Sequence, residues 1–124
     1  MSEYQPDKWV VIKITGPEIK LYKVFACWYG GYAGSDSWKL NSGITRAVLQ
    51  DNCYEFDGNS GSVYSCHKSA YGTNGYGGGV LNNFIERAAE QGNLIEIMPE
   101  DTDWTTLDYD PLQQWLQKGQ EPQV

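Results

Sequence analysis

The chain has 124 residues, 40% of them apolar, and no stretch long enough to span a membrane, which fits one soluble domain and excludes an integral membrane protein built on helices. Its net charge of −7 is one-sided: residues 1–87 carry eight acids against eight bases, and residues 88–124 carry eight acids against Lys118 alone. That layout argues against direct nucleic-acid binding, which needs a basic footprint, and suits an acidic face meeting a basic protein.

The three cysteines, Cys27, Cys53 and Cys66, are an odd number, and no signal-peptide core follows Met1. Both points fit reduced thiols in a cytosolic setting. Aromatic residues make up 14% of the chain, with five Trp and nine Tyr, a supply that serves either a core or a binding patch.

Residues 1–7 read as a loose start. In Lys8–Thr15 the alternation of Val10, Ile12 and Ile14 predicts a strand, and Gly16-Pro17-Glu18 turns it into a partner strand at Ile19–Trp28. The connection is too short for a parallel crossover, so the pair is an antiparallel hairpin. Tyr29–Gly43 reads as a long glycine- and serine-rich loop carrying Tyr32 and Trp38. Ile44–Gln50 reads as a third strand, and Cys53–Asp57 with Ser62–Cys66 as a hairpin around Gly58-Asn59-Ser60-Gly61.

The spacing of Val80, Phe84, Ala88 and of Leu81, Ile85, Ala89 predicts an amphipathic helix over Val80–Gln91, closed by Gly92. Asn93–Met98 has strand character, Pro111–Lys118 suits a short terminal helix, and 119–124 read as loose. The expected fold is α+β: one domain over residues 1–124, with an antiparallel sheet of about five to six strands covered by one main helix. Val10, Ile12, Ile14, Phe25, Phe84, Ile85, Ala88, Leu94 and Ile97 are expected in one core.

The stretch Gly58–Gly79 holds seven of the fourteen glycines and the single histidine, and it leads directly into the predicted helix. Backbone N–H groups at such a corner can converge on an anion. A binding set for a nucleotide or other small anion follows: Gly77, Gly78 and Gly79 for the backbone, Lys68 and Arg87 for charge, Tyr71 and Tyr76 for stacking on a base. A sharp turn explains the same glycines more simply. Cys66, His67 and Lys68 form the most reactive-looking trio, but neighbours on a strand face opposite ways, leaving His67 to meet Cys27 or Cys53 across the sheet. No metal-binding cysteine spacing is present, so neither a metal nor a cofactor is expected, and no catalytic residue is assigned. Glu100, Asp101 and Asp103 are the acids best placed to meet a basic partner, with Tyr32 and Trp38 as aromatic anchors.

Gly77-Gly78-Gly79-Val80 followed by Arg87-Ala88-Ala89 resembles the helix-entry signature of macrodomains over about thirteen residues, a local convergence on helix-entry chemistry. A wider resemblance rests on Trp28, Gly30-Gly31-Tyr32, Ser37-Trp38-Lys39-Leu40-Asn41-Ser42-Gly43-Ile44 and Ser60-Gly61-Ser62-Val63-Tyr64-Ser65-Cys66-His67-Lys68, with Tyr71-Gly72 and Asp103-Trp104. In these blocks the chain resembles a family of small accessory proteins of T4-like bacteriophages. The resemblance implies a setting, the cytoplasm of an infected bacterium, and carries no reaction to any residue. The function expected from all this is a non-catalytic binder of a host component, used in counter-defence or host takeover. The alternatives are a nucleotide or anion binder at the glycine corner and an acidic mimic of DNA.

Overall fold

The computed structural model describes residues 3–30 and 34–109. Tyr32, the predicted helix Pro111–Lys118 and the end at 119–124 lie outside the described residues. The fold is α+β with one main helix, but two four-stranded sheets replace the single sheet expected. The first sheet runs in the order β1 (Glu3–Tyr4), β7 (Val63–His67), β6 (Cys53–Gly58), β5 (Ile44–Gln50). The second runs β4 (Ser37–Leu40), β3 (Lys20–Trp28), β2 (Lys8–Thr15), β8 (Leu94–Ile97). All neighbours are antiparallel except β1 and β7, and the pairing of Glu3 with Val63 ties down a start expected to be loose.

Strands β2 and β3 explain why two layers form. A half-buried strand alternates apolar and polar, whereas a strand covered on both faces is apolar throughout. In β2, Val10 and Ile12 point to one side and Trp9 and Val11 to the other, and all four are buried. Register pairs Trp9 with Ala26 and Val11 with Val24 on one face, Val10 with Phe25 on the other. The first face packs with Ile44, Ala47, Phe56, Tyr64 and Cys66 of the opposite sheet. The second receives Leu81, with Val80, Phe84 and Ile85 beside it, from the helix α1 (Gly75–Glu90). The core expected as one is therefore two, separated by β2 and β3.

Asn41 makes the passage between sheets. Its N–H donates to Val24 O at 3.0 Å and its Oδ1 accepts from Val24 N–H at 2.8 Å, so one residue ends the β4–β3 ladder with both partners satisfied. The chain then leaves for β5, and Ser42 Oγ accepts from Ser60 N–H at 2.9 Å, fastening the β6–β7 turn to the crossover.

Trp104 fills the end of the first core. It stacks on Tyr71 at 5.8 Å between ring centres and meets Trp9 edge-on at 6.0 Å. Trp9 Nε1 donates to His67 O at 2.7 Å, which satisfies the one polar atom its burial would otherwise strand.

Candidate functional site

The glycine corner is the start of α1, five residues earlier than the apolar spacing indicates. Asn74 is the N-cap: its Oδ1 accepts from Gly77 N–H at 2.6 Å, and its carbonyl accepts from Gly78 N–H at 2.8 Å. Gly79, one residue further into the helix, has the carbonyl of Gly75 as its intrahelical acceptor. The three N–H groups expected to face an anion are thus turned into the helix. Gly77 has its own packing reason: a Cβ there would collide with Cys27 Sγ and stand 2.9 Å from Asn74 Oδ1, whereas Gly79 faces open space. Close helix–sheet approach, and not ligand access, accounts for the buried glycine.

The other members of the anion set are not brought to this corner. Arg87 lies ten residues beyond Gly77, roughly 15 Å along the axis, and is exposed in the last turn, where its charge complements the negative end of the helix dipole. Lys68 sits exposed in a single 3₁₀ turn, Lys68–Ala70, with its N–H donating to Asn52 O. The cation beside Gly72 is Lys8. Tyr71 is locked in place, donating from its hydroxyl to Met98 O at 2.6 Å and accepting from Val11 N–H at 3.2 Å. Burial pushes its phenol up to about 12, against the lowering effect of the Val11 hydrogen bond, with nearby Glu100 adding to the rise. Its ring faces Trp9 and Trp104 and is not available to a base. Tyr76, 51% exposed, is the one aromatic of that set with an open ring.

The cysteine–histidine trio is pulled apart in the same way. Cys66 is buried in the first core, where desolvation raises its thiol well above the ordinary value, with Cys53 adding to the rise. His67 faces outward, opposite Cys53 in register, and its Nδ1 accepts from Ser69 N–H at 3.1 Å as the cap of the 3₁₀ turn. Cys27 lies on the far side of the second sheet, in the other core, also raised by burial despite a hydrogen bond from the Asn74 backbone. No group of metal-ligating side chains forms among the described residues.

The partner-binding set divides. Trp38 on β4 stacks on Phe25 at 5.7 Å and meets Phe84 edge-on at 5.2 Å, leaving 36% of its surface open. It is a wall of the helix-side core with one exposed edge. Glu100, Asp101 and Asp103 are fully on the surface, immediately after β8. Asp103 also builds the turn that seats Trp104, its Oδ1 accepting from Thr105 N–H at 3.1 Å and Thr105 Oγ1 at 2.7 Å.

Two residues expected in the core are instead part of this surface: Leu94 is 54% and Ile97 49% exposed. The reason is that β8 is the last strand of its sheet: Leu94 lies on the face away from the helix, and of the two residues on the helix-side face Ile95 joins the core while Ile97, at the strand end, does not. Phe84, Ile85, Ala88 and Ile14 are half-buried around the same helix. Among the described residues no helix is long and apolar enough to cross a membrane. No family model, curated protein or solved structure matches this chain.

Proposed function

We propose that this chain is a non-catalytic binding protein that engages a basic surface on a partner protein. One observation carries the reading. Every charged side chain described from residue 88 to 109 is acidic (Glu90, Glu96, Glu100, Asp101, Asp103 and Asp108), and each is exposed. None of the six is held in an ion pair among the described residues, where the pair formed is Arg46 with Asp57 at 3.6 Å. Exposed charges of one sign, held in no ion pair, steer a partner of opposite charge and reject others. The reactive residues support the non-catalytic part: Cys66 and His67 face opposite ways, and the cysteine is buried as a neutral thiol. The resemblance to bacteriophage accessory proteins points to a component of the infected host as the partner.

Affinity capture from bacterial host lysate tests the reading, using the wild-type chain and the variant Glu100→Lys, Asp101→Lys, Asp103→Lys at low and high salt. A partner held at low salt should be released at high salt, where screening shortens the reach of surface charges to a few ångströms. The reversed variant should not hold it. A partner retained under all these conditions would refute the acidic face and move the interface to Trp38.

A further inference from the structure

We propose that the outer edge of β8 is the docking line within this acidic face, and that it takes an extended partner segment of alternating apolar and basic residues as an added strand. The inference rests on the reading of the acidic rim as a binding surface and specifies its mode.

The backbone geometry comes first. Met98 N–H donates to Val11 O at 2.9 Å, and Ile12 pairs with Ile97, Lys13 with Glu96, Ile14 with Ile95 and Thr15 with Leu94. Hydrogen-bonded positions alternate along an antiparallel ladder. Leu94 and Glu96 therefore direct their N–H and C=O groups inward to β2, and Ile95 and Ile97 direct theirs outward. Among the described residues nothing pairs with that outward row.

Exposed edges are commonly protected by a lysine, a proline or a bulge. Of the other three sheet ends, β4 carries Lys39, β5 carries Arg46 next to a register shift, and β1 is two residues long, too short to offer a template. Strand β8 reads Leu-Ile-Glu-Ile, with half-exposed apolar side chains on both faces and no cation. An unprotected apolar edge of this kind is a template for another strand.

Charge then selects the occupant. Glu96 lies on the strand, Glu100 and Asp101 follow it, and Glu90 ends the helix that leads into it. The base facing this group from a neighbouring strand is Lys13, opposite Glu96. A second copy pairing antiparallel about Glu96 would set two carboxylates against each other, a destabilising arrangement. A segment alternating apolar and basic residues fits both faces. Its apolar side chains lie beside Ile95 and Ile97, while lysine or arginine stems cross Leu94 and bring their charges to Glu96.

The test uses the full chain and two synthetic probes of about seven residues, a typical strand length, one alternating valine with lysine and the other valine with glutamate. Amide hydrogen exchange and backbone NMR shifts are followed at Ile95 and Ile97. The basic probe should slow exchange at both amides, and the acidic probe should not. Ile97→Pro removes an outward donor and leaves the β2 ladder intact, because proline is tolerated where the N–H faces solvent. It should weaken the basic probe about tenfold or more, with thermal stability near wild type; if that variant fails to fold, the exchange readout on the wild-type chain decides. Unchanged exchange at Ile95 and Ile97 while the basic probe binds overturns the edge mode. So does undiminished binding by a folded Ile97→Pro. Amides already protected in the free chain and released on removing residues 110–124 would overturn it too, assigning the edge to the chain's own end. Binding that survives Ile97→Pro but falls with charge reversal at Glu100, Asp101 and Asp103 removes the added strand and leaves the acidic face. Binding indifferent to salt and charge removes both.

Discussion

Gly77→Ala probes the contact on which the helix-side core depends. The added methyl would collide with the sulfur of Cys27, which is completely buried, and would stand 2.9 Å from Asn74 Oδ1 and 3.4 Å from Phe25 Cε2. Favourable contact needs roughly 3.5–4.0 Å, so Cys27 Sγ and Asn74 Oδ1 must give way together, with Phe25 Cε2 already at contact distance and leaving little room behind them. Overpacking of this kind costs about 1–3 kcal/mol, and the higher helix propensity of alanine returns up to about 1 kcal/mol. A net loss of about 1–2 kcal/mol should lower the Tm of a chain this size by about 3–8 °C. Gly79→Ala is the internal control. It sits in the same helix with nothing within 4 Å of the new methyl, and should gain about 0.5–1 kcal/mol. Thermal unfolding by circular dichroism reads both. Adding Cys27→Ala to Gly77→Ala removes the struck atom, so the double variant should lose less than the sum of the singles. A Gly77→Ala that stabilises as Gly79→Ala does, or strict additivity with Cys27→Ala, would refute the packing of the helix start on β3.

Trp104→Ala should cost about 3–5 kcal/mol, because the ring closes the first core against Trp9, Phe56 and Tyr71; urea unfolding measures it, and a loss under 1 kcal/mol would contradict that role. Asn74→Ala should cost about 1–2 kcal/mol, since the side chain both caps α1 and donates to Trp28 O at 3.3 Å. Alkaline pH should unfold the protein progressively. Tyr64, mainly through burial, and Tyr71 are both held near 12 in the folded chain, against about 10 when unfolded. Their contribution is complete below about pH 10 and declines as pH rises toward 12, because the unfolded chain gives up those protons first. Denaturation midpoints that stay level from pH 9 to 12 would refute it.

The sequence reads clearly wherever one local pattern meets one local cause. The alternation of Val10, Ile12 and Ile14 marks the helix-facing side of β2, and the Gly58–Gly61 turn marks the β6–β7 hairpin. The second layer is also written in β2, in Trp9 and Val11 on the opposite parity, but a strand buried on both faces has no period to announce itself. The helix start is obscured for another reason. Glycine is a poor helix former, so the apolar spacing begins at Val80, while the true boundary is set by Asn74 three residues before Gly77 and by packing that admits no side chain at Gly77. Strand β4 hides in a glycine-rich stretch because four residues are too few to show alternation. Leu94 and Ile97 carry a core signature in sequence and a surface position in space, since only the order of strands reveals that β8 stands at an edge. The acidic rim, by contrast, is legible from charge counting alone, and the structure adds that all its described members are exposed.

The most direct test of the proposed function is a hydrogen-exchange footprint of the wild-type chain bound to the partner captured at low salt. Docking along the β8 edge should give new protection concentrated over residues 94–103, with Ile95 and Ile97 slowed most, and loss of that protection when salt is raised. Protection confined to Ser37–Leu40 and the first turns of α1, unaffected by salt, would contradict it.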